Sequence, residues 1–580
     1  GEIHMRVHIA KAAGICMGVR RAMNAVLDAA HKSDQPISTL GPLVHNKQAM
    51  EMLATKNVKV VSSSEEAGRG ILFIRAHGVT PAVKDSLARP DLEVQDMTCP
   101  HVRRAQKIIE RHAREGYHTL IIGDAGHAEV VGLLGHADGR GYVVDSEEDI
   151  NALPAINPVC VVAQTTQNAR RFKELLPVIE ARFPGAAIFN TVCSATDDRQ
   201  NEVHCLAHEV DCIIVVGGRH SANTVRLAEI AGDEGVPTFH IETADELNPS
   251  EIRRFATVGI TAGASTPHWV FKEVVTRVDN YLEPRTFFVR HLRALLLFFV
   301  HAYLYIGAGS AAMTYAALRL LDIPPRFSYL LLSFMYVVSM HIFNRFTDVE
   351  ASKLNHPLRM SLMLRYRGLF MATASVFAAA TLFLAYPFGT YPFLLMLTCL
   401  VAGMVYSRRL IPIWLARKIR FKTFREIPGS KDIFIAMAWS TVTVLLPYLA
   451  ETEVPSLPAI YAFLFCFIMV FLRSLVYDMQ DIEGDRIIGK ETFPLIMGPR
   501  HTTRLIFYCA GCLALIALTD IFPGWSALSG YLLLPVVLYI CFYLILYYRR
   551  FFSQGILFEI AVDAQFILTG LLAFCIPHTI

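Results

Sequence analysis

Charge is scarce in this sequence. Only 18% of its 580 residues are Asp, Glu, Lys or Arg, and the formal net charge is +3. So small an excess over such a length gives no footprint for nucleic acid and excludes it as a partner. Cysteine is thin as well: 12 residues in the whole chain, far from the density of a small secreted disulfide scaffold. No secretory leader is expected, because Gly1-Glu2-Ile3-His4-Met5 lacks an apolar core, and Met5 reads as the natural start. Long apolar runs are missing too, but only up to Glu283. What the chain does have is hydrophobicity: 53% apolar residues, with 36 Phe and 21 Tyr. A mean hydropathy of +0.39 argues against a disordered or wholly soluble protein. The length exceeds one ordinary domain.

The composition changes near residue 285. Before it, short apolar runs such as Ile71-Leu72-Phe73-Ile74, Leu120-Ile121-Ile122 and Ile213-Ile214-Val215-Val216 end in Gly, Asp or polar residues, with helical patterns between them. Buried strands alternating with helices predict an α/β domain over 5–283. Residues 284–292 read as a linker and 293–580 as an all-α polytopic membrane domain. Nine spans are expected, near 294–321, 326–343, 368–388, 391–406, 432–450, 457–477, 503–520, 527–547 and 557–576. Each approaches the ~20 residues that cross the hydrocarbon core. Glu559 and Asp563 interrupt the last; they either line a cavity or mark a frayed end.

Basic residues orient the spans. Arg345, Lys353, Arg359, Arg365 and Arg367 follow the second, and eight Lys or Arg between Arg408 and Lys431 follow the fourth. The connections after the third, fifth and seventh carry none. The positive-inside rule then places even-numbered loops and the N-terminal half in the cytoplasm, with the chain multi-pass in a cell inner membrane. That compartment is reducing, so the soluble cysteines read as metal ligands or core.

Three segments repeat one theme. Cys16 opens Cys16-Met17-Gly18-Val19-Arg20-Arg21-Ala22, Cys99 opens Cys99-Pro100-His101-Val102-Arg103-Arg104-Ala105, and Cys193 opens Cys193-Ser194-Ala195-Thr196-Asp197-Asp198-Arg199. Each begins a helical run, where the dipole favours a metal-binding thiolate. Three such thiolates on a four-iron cluster leave one iron open. The competing reading is three buried structural cysteines. Cys160, Cys205 and Cys212 lack this setting and are assigned to core. A second constellation is polar: Val44-His45-Asn46, Ala76-His77-Gly78, Gly126-His127-Ala128-Glu129, Gln164-Thr165-Thr166, His220-Ser221-Ala222-Asn223 and Gly263-Ala264-Ser265. Donors and Gly-rich backbone of this kind suit a diphosphate, although each His alone is more often a satisfied core or surface residue.

On these residues, 5–283 resembles the 4-hydroxy-3-methylbut-2-enyl diphosphate reductase (LytB, also IspH) family. The resemblance implies a pseudo-threefold trefoil of three α/β units around a [4Fe–4S] cluster on Cys16, Cys99 and Cys193. It implies diphosphate binding by His45, His77, His127, Ser221, Asn223 and Ser265, a catalytic Glu129 that delivers protons, and Thr165 beside the substrate hydroxyl. The reaction implied is reductive dehydroxylation to isopentenyl and dimethylallyl diphosphates, fed by an external donor such as ferredoxin or flavodoxin. The chain departs from the family at Asp124, Ala128 and Ala222, where His, Pro and a second Ser are frequent.

In the membrane half, the sixth span runs into Tyr477-Asp478-Met479-Gln480-Asp481-Ile482-Glu483-Gly484-Asp485. Asp478, Asp481 and Asp485 are three and four apart and share a helix face. Carboxylates so grouped suit Mg²⁺ bridged to a diphosphate, the plainer alternative being a solvated acidic loop. The second span runs into Asn344-Arg345-Phe346-Thr347-Asp348-Val349-Glu350-Ala351-Ser352. Residues 287–580 thus resemble the UbiA prenyltransferase superfamily, with nine helices and aspartate-rich motifs after helices two and six. Gly489-Lys490 with Thr492, Tyr406-Ser407 and Lys431 extend the resemblance. It implies Mg²⁺ on Asp348, Asp478, Asp481 and Asp485, catalysis by Asp478 and Asp481, and prenyl diphosphate binding by Asn344, Arg345, Lys431 and Lys490. The first motif departs: Arg345 and Ser352 stand at two acidic positions of the family pattern. Two readings follow, an active transferase with altered metal use and a non-catalytic anchor or prenyl-lipid binding module. A transporter is disfavoured because the acids cluster at one face. Cys509 and Cys512 face lipid or neighbouring helices and read as core sooner than as a redox pair, and the Phe287–Phe299 run reads as an interfacial anchor plus span.

Overall fold

In the computed structural model the described residues are 6–63, 65–281, 287–406, 429–452, 454, 456–518, 530–549 and 556–575. The chain falls into two compact units, residues 1–283 and 284–580. Ser407 and the basic loop up to Arg425 lie outside the described residues, as does part of the expected linker.

The first unit holds three four-stranded sheets, all parallel. One pairs Arg6–Ile9 with Thr257–Ala262, then Cys212–Val216 and Thr238–Ile241. A second is built from Ile37–Leu40, Val58–Val61, Gly70–Ile74 and Leu92–Asp96, and a third from His118–Ile122, Gly141–Val144, Val159–Ala163 and Ala187–Ile188. Central strands such as Ile213–Val216 are fully buried because helices cover both faces of a parallel sheet, which is why they read as unbroken apolar runs. In the second and third sheets the last strands lead into Cys99 and Cys193, each followed directly by a helix. Cys160 and Cys212 are buried as expected; Cys205 is exposed, a correction to its assignment as core. It lies on the outer side of the Ser194–Ala207 helix, whose buried side is set by Val203, Leu206 and Ala207.

The second unit is helical. Among the described residues six helices are long and apolar enough to cross a membrane, or seven if the pair Ala294–His301 and Leu304–Leu320, bent by 68°, is one span. Nine full spans were expected; Thr390–Met404 and Leu534–Tyr548 are apolar but short. The bend falls at Tyr303, whose φ of 63° interrupts the expected first span. The Leu457–Ile488 helix has 32 residues. At 1.5 Å rise per residue it is about 48 Å long, well beyond the ~30 Å hydrocarbon layer, so one end must project from it. Its C-terminal end carries Asp478, Asp481 and Asp485. A π turn at Thr441–Leu445 interrupts the helical run from Ser430 to Glu451, just past Trp439.

Candidate functional sites

In the first unit the three cysteines converge. Cys16, Cys99 and Cys193 line one cavity, and each is the N-cap of a helix: Met17–Lys32, Pro100–Arg114 and Ser194–Ala207. The Cys16 sulfur accepts the Val19 N–H at 3.5 Å. Gly18 shows how close the sulfurs come. A Cβ there would stand 2.8 Å from Cys99 Sγ and 4.0 Å from Cys16 Sγ. Burial pushes the Cys99 thiol up, and the neighbouring Cys16 and Cys193 push the same way. Crowded thiols at three helix N-termini suit a group that draws off their protons and binds the sulfurs, which an iron–sulfur cluster does. The residues present fit that group.

The same cavity gathers the polar constellation. The rings of His45, His77 and His127 stand with centroids 5.0 Å (His45–His77), 5.3 Å (His77–His127) and 6.1 Å (His45–His127) apart. Burial holds the His45 imidazole down at about 4, and His77 and His127 are lowered by burial too. One nitrogen from each lies within 4.8 Å of the others, a spacing that a metal ion also accepts. Arg75 decides between cation and anion. Its guanidinium bears on all three rings and further disfavours their charging, so the pocket is built for negative charge. Arg75 was not apparent from the sequence; its only signal is its place two residues before His77.

Several buried polar atoms here have no protein partner: His45 Nε2, His77 Nδ1, Arg75 Nε and both amide atoms of Asn223. Such atoms are rare in folded chains, and a ligand or water bound in this cavity would give them partners. Ser265 Oγ lies 3.0 Å from Ser221 Oγ and 3.4 Å from the His45 carbonyl, which ties the serines to the histidines. Of the departures from the family pattern, Ala222 lines the cavity, while Asp124 pairs with Arg226 at 3.3 Å.

Glu129 is 1% exposed. Its two oxygens accept the Thr165 N–H at 2.6 Å and the Thr165 hydroxyl at 2.8 Å. Burial pushes its carboxyl up to about 7 against those hydrogen bonds. The Thr165 carbonyl accepts the Cys193 N–H at 3.0 Å, so acid, hydroxyl and cysteine form one connected line. Arg199, also not apparent beforehand, is buried beside Cys16 and Cys193 and donates to the Gly14 carbonyl at 2.8 Å.

In the second unit both motifs open on one cavity, lined by Asn344, Arg345, Asp348, Ser352, Asp481, Asp485, Lys431 and Lys490. Lys490 Nζ bridges the motifs, 2.5 Å from Asp348 Oδ2 and 3.1 Å from Asp485 Oδ1. Asp478 is turned to Lys431 at 2.8 Å, and His356 Nε2 lies 3.6 Å from Asp481 Oδ2. Arg345 donates to the Tyr303 hydroxyl at 2.7 Å and to Ser352 Oγ at 3.3 Å. The two altered positions of the first motif therefore bond to each other. Gly484 is required where it stands: a Cβ would fall 1.8 Å from Asn355 Oδ1, and Asn355 reaches Asp485 at 3.4 Å. Deeper in the unit, Glu559 pairs with Arg359, and Asp563 with Arg473 at 2.6 Å. Both acids line the cavity, so they are wall and not a frayed end.

The LytB protein family model matches residues 7–279, and the UbiA prenyltransferase family model matches residues 303–555. The 4-hydroxy-3-methylbut-2-enyl diphosphate reductase of Opitutus terrae is 42% identical over 287 residues, which are 99% of that protein and 47% of this chain. The chain belongs to the LytB family, fused to a UbiA-family unit. The reductase of Geobacter sulfurreducens is 44% identical to this LytB chain, over 98% of its own length and 48% of this one. A UbiA homolog from Archaeoglobus fulgidus, solved bound to GPP and Mg²⁺, covers 48% of the chain and 99% of its own at 17% identity, with a TM-score of 0.36.

Proposed function

We propose that the LytB unit, residues 5–283, reduces 4-hydroxy-3-methylbut-2-enyl diphosphate to isopentenyl and dimethylallyl diphosphates. One observation carries this: three N-cap sulfurs, three histidines whose charging Arg75 disfavours, and a buried acid meet in a single cavity. A [4Fe–4S] cluster held by Cys16, Cys99 and Cys193 in a trefoil of three units would supply the electrons. The chain's own residues do the rest. His45, His77, His127, Arg75, Ser221, Asn223 and Ser265 hold the diphosphate and fix the direction in which the allylic hydroxyl points. With its carboxyl at about 7, Glu129 is partly protonated at neutral pH. It passes a proton through the Thr165 hydroxyl to the departing oxygen. In balance, the alcohol takes two electrons and two protons, its C–O bond breaks, a C–H bond forms and water leaves. Purified chain given substrate and reductant under anaerobic conditions should yield both five-carbon diphosphates. No product from a chain with a full complement of iron would reject the reading.

The UbiA unit, residues 293–580, is proposed to cross an inner membrane nine times with the N-terminal unit in the cytoplasm, and to transfer a prenyl group from its diphosphate to an acceptor. Asp348, Asp481 and Asp485 line the cavity and, with Asp478 once it turns from Lys431, would hold Mg²⁺, which would neutralise the leaving diphosphate. Arg345, Lys431 and Lys490 line the same cavity and would contact the phosphate oxygens. A second reading rests on the mutually bonded Arg345 and Ser352: a transferase that has lost its first metal site and serves as anchor or prenyl-lipid binder. Asp481→Ala distinguishes them. An active transferase loses one cellular prenyl-lipid, whereas an anchor leaves the lipid profile unchanged.

A further inference from the structure

A second groove lies on the LytB unit, separate from the substrate cavity. Five cations line it: Arg21, Arg103, Arg104, Lys107 and Arg111. Among the described residues no acidic side chain lines it. Ile108 and Phe189 give it an apolar floor. Arg104, Lys107 and Arg111 are spaced three and four apart on the Pro100–Arg114 helix, so they form one exposed stripe. Acids around it are already engaged: Asp96 with Arg103 at 3.1 Å and Lys84 at 3.0 Å, Glu110 with His136 at 2.7 Å, and Glu115 3.9 Å from Arg111. Arg21 has a structural task, donating to the carbonyls of Met97 and Thr98 at 3.0 and 2.6 Å.

The position of the groove is informative. Thr98 and Pro100 line it, while Cys99 between them lines the catalytic cavity. The segment Thr98–Val102 thus borders both. We propose that this groove docks a small acidic one-electron carrier protein, with Arg104, Lys107 and Arg111 as its electrostatic contacts. The proposal rests on the reductase reading, since that reaction consumes two electrons that the chain itself does not hold. Two reduced carriers bind in turn; each leaves oxidised by one electron. Together with two protons these break the allylic C–O bond and release water. Opposite charge across an encounter surface raises the association rate and makes it salt-sensitive. A bilayer surface is the competing occupant, but a flat array of headgroups meets projecting side chains, whereas these line a concavity.

The test uses the full chain in nanodiscs of neutral lipid, with a plant-type [2Fe–2S] ferredoxin as probe. Calorimetry should show binding that weakens as salt rises. The triple variant R104E/K107E/R111E should bind the oxidised ferredoxin at least about tenfold more weakly and lose that salt dependence. R104Q/K107Q/R111Q should fall between the two, and reduction driven by methyl viologen should keep its rate in both variants. Ferredoxin affinity unchanged by the charge reversal would overturn the proposal. So would a variant that loses only its attachment to anionic vesicles. If the unaltered chain forms no product even with viologen, the reductase reading fails, and the binding measurement still judges the groove.

Discussion

Glu129 gives both of its carboxylate oxygens to one residue, Thr165, at 2.6 and 2.8 Å. The pair couples a buried acid to a hydroxyl at the cavity surface, and it makes activity and stability respond oppositely to one substitution. Folded, the carboxyl titrates near 7; unfolded, it returns to its ordinary 4.5. Between those values the folded chain holds more protons, so stability contributed below pH 4.5 is lost as pH rises through about 7. The loss amounts to about 3 kcal/mol for a shift of this size. Glu129→Gln should therefore cut reduction by about a hundredfold or more, yet raise the melting temperature of the LytB unit at pH 8 relative to pH 5. Calorimetry at the two pH values beside a product assay checks both signs.

The neutral histidines make a different pH prediction. Free, His45 titrates at about 4, with burial the main cause. A bound diphosphate brings negative charge against it, against His77 and against His127, and lifts all three. Binding should then take up protons, about one per diphosphate near pH 6, and weaken as pH rises. Titration calorimetry in buffers of different ionisation enthalpy reads the uptake directly. Arg75→Met should raise the KM for substrate about tenfold or more while changing kcat less. Zn²⁺ binding lost on His77→Ala, with no proton uptake for diphosphate, would instead mark the trio as a metal site.

Much of this was legible in the sequence because chemistry-bearing residues sat in repeated local settings. Cys16, Cys99 and Cys193 each open a helix, and that position is visible in the text of the chain. Unbroken apolar strands announced parallel sheets for the same physical reason that they are buried on both faces. Arg75 and Arg199 were not legible. Their decisive partners, His45 and His127 for Arg75 and Cys16 and Gly14 for Arg199, lie far away in sequence, and nothing local separates either from a surface arginine. The bend at Tyr303 was equally hidden, since the residues around it are as apolar as a straight span would need. Glu559 and Asp563 were visible as acids in an apolar helix, but only their partners Arg359 and Arg473 decide that they form cavity wall.

The pairing of Arg345 with Ser352 invites restoration of the family pattern. Asp348 is the acid that remains in the first motif, and Lys490 occupies its carboxylate at 2.5 Å. Carboxylates introduced at both altered positions would give the motif the charge a divalent ion needs. R345D/S352D should bind Mn²⁺, read by electron paramagnetic resonance as a proxy for Mg²⁺, about tenfold or more tightly than the unaltered chain. Tyr303 loses its hydrogen-bond donor in that variant, so R345N/S352D serves as the gentler companion. Equal ion affinity in all three chains would show that the first motif takes no part in metal binding.

Deeper in the UbiA unit, Arg359 and Glu559 form a buried ion pair, with the Arg359 guanidinium 5.1 Å over the Tyr303 ring and His356 Nδ1 3.6 Å from Glu559. Two charges withdrawn from water offset their desolvation only while both are present, and removing one costs about 3–5 kcal/mol. Arg359→Met leaves the buried Glu559 carboxylate without its guanidinium partner, beside the imidazoles of His356 and His301. Its melting temperature in detergent should fall by on the order of 10 °C. Replacing both partners by apolar residues of similar volume, R359M/E559L, should recover most of that loss, because no buried charge is then left over. The cavity of the double variant keeps its shape but not its polarity. If prenyl transfer survives in it, the pair serves packing alone; if transfer is lost while the melting temperature recovers, Glu559 and Arg359 act on the molecule that enters the cavity.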